Sequence, residues 1–190
     1  MTQPEKYHEG SHQKNEEDIV WIQSFLRGDD NAFSLIYHKY VDELFVYGTA
    51  LGFDREILKD AIQDTFYKFY THRKQLKDVK HLKYYLFRML KNRLLDICKS
   101  PKNEVEIEIS EISFSMDASI LDEIILREEK EYLRNKVNQL LDILTDRQRE
   151  AVYLRFIQEM EYDEVAGLLD MTPPAVRKLV TRAIKRMREK

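Results

Sequence analysis

The side chains best suited to bind a charged ligand stand at the C-terminal end of the sequence. The last nineteen residues, TPPAVRKLVTRAIKRMREK, hold seven Lys and Arg against one acid, Glu189, a net charge of +6. The 190-residue chain as a whole carries −3. A net-acidic protein that gathers positive charge on one terminal segment usually directs that segment at an anion. We therefore expect an anion-binding surface here.

The apolar residues of this segment predict an amphipathic helix. Its apolar face consists of Val176, Leu179, Val180, Ala183, Ile184 and Met187. Pro173 and Pro174 fit only the first helical turn, where their missing N–H groups cost little, and Thr172 is then the cap. The preceding stretch, YDEVAGLLDM, predicts a second short helix and a tight turn. This arrangement is typical of a helix-turn-helix, whose second helix enters the DNA major groove.

Six polar residues of this helix are candidates for contact with DNA. They are Thr172, Arg177, Lys178, Thr181, Arg182 and Lys185. Arg177 and Lys178 lie near the helix start and are best placed for base edges, whereas Arg182 and Lys185 are better placed for phosphates. The alternative is a surface-charged helix within a core bundle.

A second basic block lies in the middle of the chain. Residues 67–99 carry +8, whereas residues 16–64 and residues 100–131 each carry −7. Two basic blocks separated by an acidic one indicate two nucleic-acid contacts, joined by a segment that avoids DNA. Ordinary surface charge is the alternative.

Aromatic residues accompany the middle basic block. Single-stranded DNA is bound by cations on its phosphates and by aromatic rings that stack on its bases. The candidates are Lys74, Lys77, Lys80, Lys83, Tyr84, Tyr85, Arg88, Lys91 and Asn92. Phe87 lies beside them, and the competing interpretation assigns Tyr85, Leu86 and Phe87 to the core.

The elements that position these residues are predicted to be helices. Apolar residues recur at i, i+3 and i+4, and period-two runs are nearly absent, so the fold class is all-α. We expect helices over residues 18–27, from an Asp30 cap to Gly52, from Asp54 onward and over 81–98, with a basic loop between the last two. Thr145 and Gln148 form a capping box before a further helix.

Two small helical domains joined by an acidic linker account for this pattern. The predicted divisions are a disordered tail at 1–15, an N-terminal domain at 16–99, a linker at 100–119 and a C-terminal helix-turn-helix domain at 120–190. Residues 104–109 alternate acid and aliphatic, which permits a short strand, but an extended linker is favoured because no partner strand is evident.

The sequence offers little support for catalysis, a cofactor or a metal. His8 and His12 have i, i+4 spacing in a polar tail, where a metal site is not expected. Cys98 has no paired His and is interpreted as a core-edge thiol. No run approaches the roughly 20 apolar residues of a membrane span. We expect a cytoplasmic, non-enzymatic protein that needs no cofactor and does not insert into a membrane.

Four stretches together resemble the extracytoplasmic-function sigma factors, promoter-specificity subunits of bacterial RNA polymerase. In chain order they are GDDNAFSLIYHKY, DAIQDTFYKFY, YLFRMLKNRLLDICK and the segment from LTDRQREAVYLRF to the end of the basic helix. Tyr85 stands where the family often has Trp, Lys99 where it has Arg, and Asp170 where the turn has Gly. Pro173 and Pro174, with Ala175, replace a more polar helix start.

The resemblance assigns a role to each stretch. It implies that Asp60, Gln63 and Asp64 bind core RNA polymerase, that the middle basic block engages and melts the minus-ten promoter element, and that the terminal helix reads the minus-thirty-five element. It also implies an anti-sigma partner, usually membrane-linked. The acidic linker would mimic nucleic acid in a polymerase channel. The rivals are a stand-alone helix-turn-helix regulator, a helical enzyme acting on nucleotides and a protein-interaction bundle.

Overall fold

Every described element of the protein is a helix, as the apolar spacing predicts. The computed structural model describes residues 9–99, 114–115 and 136–189, with side chains from residue 16. The first four α-helices are α1 (Glu9–Leu26), α2 (Asp30–Ala50), α3 (Arg55–Thr71) and α4 (Leu82–Lys99). The last four are α5 (136–142), α6 (Asp146–Val152), α7 (Tyr162–Leu169) and α8 (Pro173–Arg188). The possible strand at 104–109 and most of the predicted linker lie outside the described residues.

Three details of the first half differ from the sequence prediction. Helix α1 begins at Glu9, not at residue 18, so the predicted disordered tail at 1–15 overlaps it. The apolar pattern starts only at Ile19, but the Glu, Gln and Lys before it favour helix without needing burial. The basic stretch predicted as a loop contains a 3₁₀ helix, Arg73–Asp78, which is anchored because Leu76 is fully buried.

The third difference concerns the start of α2. The backbone N–H of Asn31 donates to Oδ1 of Asp29 at 3.0 Å, so Asp29 caps the helix and Asp30 does not. The Asp30 carboxylate instead accepts a hydrogen bond from the Tyr70 hydroxyl at 3.1 Å. Asp30 is the first residue of α2, so the cap position belongs to Asp29, one residue earlier than predicted.

The chain forms two compact units. The first comprises Met1–Phe45 and Arg55–Lys102, and the second comprises Val46–Asp54 and Asn103–Lys190. The sequence pattern did not suggest that the end of α2 would group with the second unit. The predicted domain divisions remain predictions.

The first unit is built around aromatic rings and one buried ionic cluster. The Phe25 and Phe69 rings stack at 5.5 Å, and Phe33 meets Phe66 edge-on at 6.2 Å. Such pairs stabilise a core beyond the area they bury.

The ionic cluster joins α1 to α2 around Asp18, whose side chain is buried. Its Oδ1 lies 2.7 Å from Lys39 Nζ, and its Oδ2 accepts from the Tyr40 hydroxyl. Burial, together with this carboxylate, raises the pKa of Tyr40 above its usual range. A buried carboxylate is tolerated because both of its oxygens are paired.

The second unit has its own core and its own polar cluster. Leu141 and Leu144 pack with Val152 and with Ala183 of α8. The predicted capping box is confirmed: Gln148 N–H donates to Thr145 Oγ1 at 3.3 Å, and Thr145 N–H donates back to Gln148 Oε1 at 3.1 Å.

The polar cluster of this unit involves the end of α2. Buried Glu150 accepts a hydrogen bond from the Tyr47 hydroxyl at 2.7 Å. The rings of Tyr47 and Tyr153 stack at 6.2 Å, and buried Phe114 packs against both. Burial and the Glu150 carboxylate raise the pKa of Tyr47 well above its usual value.

Candidate nucleic-acid interface

Helices α7 and α8 form the predicted helix-turn-helix. The turn depends on Asp170, which has left-handed backbone angles of φ 51° and ψ 48° and ends α7. Asp is among the few residues other than Gly that adopt this conformation readily, so the turn survives without glycine. Pro173 and Pro174 occupy the first two positions of α8, as predicted.

Thr172 precedes α8 in an extended conformation, but its hydroxyl makes no capping bond. A capping oxygen accepts from the second or third backbone N–H of a helix. Pro174 has no N–H, and the N–H of Ala175 donates to the Thr172 carbonyl at 2.9 Å. The two prolines thus leave the exposed Thr172 hydroxyl outside the helix's own hydrogen bonding.

Helix α8 has an apolar face that packs inward and a polar face that is exposed. Val176, Val180 and Ala183 are buried, each with 1% exposure or less. The five candidate residues along the opposite side are all exposed: Arg177, Lys178, Thr181, Arg182 and Lys185. These five side chains therefore face solvent on one side of the helix, as is required of a helix that binds in a DNA groove.

Two of these side chains also contact their own helix. The Thr181 hydroxyl donates to the carbonyl of Arg177 at 2.8 Å, a common arrangement for Thr inside a helix. Lys185 Nζ lies 3.7 Å from Glu189 Oε1, and both side chains are mostly exposed. An exposed pair of this kind contributes little, so Lys185 remains suited to a phosphate contact.

Tyr162, a residue that the sequence prediction missed, contacts Arg177. The Arg177 guanidinium lies 5.3 Å from the centre of the Tyr162 ring, and that of Arg155 lies 5.0 Å from the same centre. A Tyr before a basic helix was the available signal in the sequence, but spacing alone could not show that its ring reaches α8.

The middle basic block lies on the 3₁₀ helix and on α4. Lys74, Lys77 and Lys80 are exposed, as are Arg88 and Asn92 on α4. Lys91 is half-buried. The block is therefore largely available to solvent.

The aromatic residues of α4 divide between surface and core. Tyr84 is half-buried, and its hydroxyl accepts from Arg88 Nη1 at 2.9 Å. Tyr85 is also half-buried, lies 6.4 Å from the Phe69 ring and has a pKa raised by burial. Phe87 is fully buried and belongs to the core. Among these three residues of α4, Tyr84 and Tyr85 are the ones that can offer part of a ring to a base.

Lys83 is paired within the first unit. Its Nζ lies 2.9 Å from Glu43 Oε2 on α2, and neither side chain is more than about a third exposed. A DNA phosphate would have to share this ammonium group with Glu43. The sequence indicated a cation here but could not show its partner, which lies forty residues away.

The acidic residues of α3 are not equivalent. Asp60 and Gln63 are exposed, whereas Asp64 is half-buried and pairs with Arg93 of α4 at 2.7 Å. The three share one helical face, as the i, i+3 and i+4 spacing predicts. Of the two acids, Asp60 has no ion pair among the described residues.

Other kinds of site find no support among the described residues. Within 9–99 and 136–189, no three His, Cys, Asp or Glu residues cluster so as to hold a metal ion. Burial raises the pKa of the Cys98 thiol, which disfavours the reactive thiolate. No helix in these ranges combines the length and apolarity needed to cross a bilayer.

Comparison with known proteins finds a family model, a sequence relative and solved structures that are similar to this chain. Residues 134–187, which include α5 to α8 almost entirely, match the family model "Sigma-70, region 4". The chain is 24% identical to the ECF RNA polymerase sigma factor SigM of Bacillus subtilis over 153 residues, which cover 80% of this chain and 91% of SigM.

Two solved structures share the fold. CnrH, in complex with the cytosolic domain of CnrY, matches with a TM-score of 0.58 at 18% identity, covering 91% of this chain and 96% of CnrH. The sigma factor RpoE of Bartonella quintana, in complex with the anti-sigma factor NepR, matches with a TM-score of 0.56 at 21% identity, covering 83% and 94%. The family model therefore assigns residues 134–187 to sigma-70 region 4, and most of the chain is similar in sequence to an extracytoplasmic-function sigma factor.

Proposed function

We propose that this protein directs core RNA polymerase to a specific set of promoters and helps to melt them. Sigma factors as a family are regulatory proteins, and we propose no catalytic activity for this one. The observation that carries the proposal is the exposed basic side of α8, set on a helix-turn-helix inside the segment that matches region 4.

In this proposal α8 reads the minus-thirty-five element in the major groove. Arg177 and Lys178 lie in the second turn of the helix and meet base edges, whereas Arg182 and Lys185 lie farther along and bind phosphates. Thr172 and Thr181 complete the contact surface. Phosphate contacts fix the register of a protein on DNA, and base contacts specify the sequence.

The basic surface of the first unit would engage the minus-ten element. The DNA backbone would be attracted by three lysines of the 3₁₀ helix and its flank, Lys74, Lys77 and Lys80. Along α4 it would be contacted by Arg88, Lys91 and Asn92. Lys83 would contribute less, because its charge is shared with Glu43. A melted base would stack on the accessible part of Tyr84 or Tyr85. Stacking accepts any base, so it suits capture of an opened strand.

The face formed by Asp60, Gln63 and Asp64 would bind a basic surface of core polymerase. Complementary charge speeds encounter and fixes register more than it raises affinity. Because Asp64 already pairs with Arg93, Asp60 would supply most of the unshared negative charge.

The acidic linker would occupy a nucleic-acid channel of the polymerase until RNA displaces it. Its acids Glu104, Glu106, Glu108 and Glu111 lie outside the described residues, so this part rests on charge alone. Neutralising all four should leave polymerase binding intact and impair the step that follows. Equal yields of abortive and full-length transcripts would contradict it.

An anti-sigma factor is the proposed negative regulator. RpoE of Bartonella quintana is solved with its anti-sigma factor, and CnrH is solved with the cytosolic domain of CnrY. That the regulator is membrane-linked remains a prediction, as does action of this protein in the cytoplasm.

Run-off transcription with purified core polymerase and a promoter library tests the central proposal. A sigma factor makes initiation depend on this protein and on two sequence elements of the library. A stand-alone regulator would bind DNA without the polymerase and would not permit core enzyme to initiate. The second outcome would overturn the proposal.

A further inference from the structure

The ring of Tyr162 lies close to two arginines. Its ring centre lies 5.0 Å from the Arg155 guanidinium and 5.3 Å from that of Arg177. Arg155 belongs to the π-helical turn Tyr153–Ile157, Tyr162 begins α7, and Arg177 lies in α8. Three elements of the second unit therefore meet at one ring.

Hydrogen bonds fix the groups next to the ring, namely the Arg155 guanidinium and the first turn of α7. Arg155 Nη1 donates to the Met160 carbonyl at 2.9 Å, which ties this guanidinium to the loop before α7. The first turn of α7 is fixed as well, because Glu161 N–H donates to Glu164 Oε2 at 2.7 Å within a capping box. Tyr162 is half-buried in this setting, so its ring offers α8 a fixed surface.

The ring of Tyr162 is the contact that can orient the Arg177 guanidinium, and the adjacent Lys178 has no such contact in the described part of the chain. Its side chain is exposed, and the described residues give it no carboxylate partner. A long exposed arginine samples many rotamers, but a guanidinium that stacks on an aromatic face keeps its plane and its donors in a narrower range. Lys178, the next residue, is equally exposed and has no aromatic contact in the described part of the chain.

We infer that Tyr162 is a positioning residue that prepares Arg177 for base readout. This inference rests on the proposed promoter-reading function and adds a specificity determinant outside the recognition helix. A bidentate arginine–base contact requires a defined guanidinium plane. The ring supplies that plane before DNA arrives, so less side-chain freedom is lost on binding.

The test uses the full-length protein with core polymerase and a promoter library randomised across the minus-thirty-five element. The variants are Tyr162→Phe, Tyr162→Leu, Arg177→Ala and the double variant Tyr162→Leu with Arg177→Ala. Lys178→Ala is the matched control beside Arg177. Thermal melting of each variant reports whether α7 and α8 remain folded.

Tyr162→Leu should lower base discrimination about two- to fivefold, the strength of one exposed cation–π contact, and only at the positions that Arg177→Ala affects. Tyr162→Phe keeps the ring and should retain discrimination. In the double variant the leucine should add nothing to Arg177→Ala. Positions affected by Lys178→Ala should be unchanged in Tyr162→Leu.

The outcomes separate the inference from the function on which it rests. If Arg177→Ala changes discrimination but a folded Tyr162→Leu does not, Tyr162 has no positioning role. A uniform loss at all positions in Tyr162→Leu would assign it a structural role and overturn the inference. If Arg177→Ala itself leaves base preference unchanged, the proposed readout by α8 fails first.

Discussion

Charged residues serve different purposes in the first unit and on α8. In the first unit several of them pair with each other: Lys39 with Asp18, Lys83 with Glu43 and Arg93 with Asp64. On α8 the basic residues are exposed, and Glu189 is the acid that approaches one of them. Ion pairs in the first unit thus join its helices, whereas the basic side chains of α8 face solvent.

Whether a charge is paired or exposed determines which property a substitution should change, stability or binding. Removing one member of an ion pair leaves the charge of the other member uncompensated. Stability and binding should then change together. Removing an exposed, unpaired charge should change binding alone. The single tryptophan, Trp21, lies in α1 with Lys39 Nζ 4.9 Å from its ring centre, and its fluorescence reports on the first unit.

The largest effect is expected for Asp18→Ala. This variant removes the buried carboxylate that both the buried Tyr40 hydroxyl and the partly buried Lys39 ammonium contact. The free energy of unfolding should fall by about 3 kcal/mol or more. Urea unfolding followed by Trp21 fluorescence measures it. Glu17→Ala is the control, because Glu17 is well exposed and its carboxylate lies 3.9 Å from Lys39 Nζ. If both variants lose the same unfolding free energy, burial of the Asp18 carboxylate does not contribute to stability as predicted.

A smaller but more specific effect is expected for Arg177→Ala. Loss of an arginine–base pairing should relax preference at one or two minus-thirty-five positions by about 1–3 kcal/mol, with the melting temperature unchanged. Lys185→Ala should weaken binding to all sequences alike and lower the salt slope by about one unit. Promoter selection by the holoenzyme at two salt concentrations distinguishes them. The reverse pattern would mean that α8 lies in the groove differently.

The next effect concerns polymerase docking. Asp60→Lys should weaken binding to core polymerase by roughly tenfold, near the lower end of coupling energies for close charge pairs, and leave stability unchanged. Asp42→Lys makes the same charge change at an exposed position on α2. Fluorescence titration against core polymerase compares the two. Similar losses would indicate a general charge effect and would remove Asp60 from the interface.

The last effect at neutral pH should come from Tyr40→Phe, which removes one hydrogen bond to the buried Asp18 carboxylate. A hydrogen bond to a charged group is worth about 1.5–3 kcal/mol, and we expect a loss near the lower value because Lys39 still contacts this carboxylate. The pKa of the Tyr40 hydroxyl in wild type is raised by folding. As pH rises past the unfolded value of about 10, the unfolded chain therefore loses the hydroxyl proton before the folded protein does. Wild-type stability contributed by Tyr40 is therefore complete below about pH 10 and falls as pH rises further. The stability gap between wild type and variant should shrink above about pH 10. A constant gap from pH 7 to 11 would contradict the assignment.

Much of this protein could be predicted from local patterns. The i, i+3, i+4 spacing predicted the all-α class, and the residue pair Thr145 and Gln148 predicted the capping box. Asp170 in the turn and prolines at the start of α8 were also readable, because each depends on backbone chemistry within a few residues. The basic face of α8 was predictable for the same reason, since one helix carries both of its faces in its own sequence.

Tertiary structure alone decided how distant residues pair. Asp64 with Arg93, Lys83 with Glu43 and Tyr162 with Arg177 are separated by 15 to 40 positions, and no periodicity within a helix encodes them. The sequence by itself determined which residues are charged and which side of each helix is apolar. Packing of the helices then determined which charges neutralise one another and which remain exposed, because only neighbours in space share an ion pair or a ring.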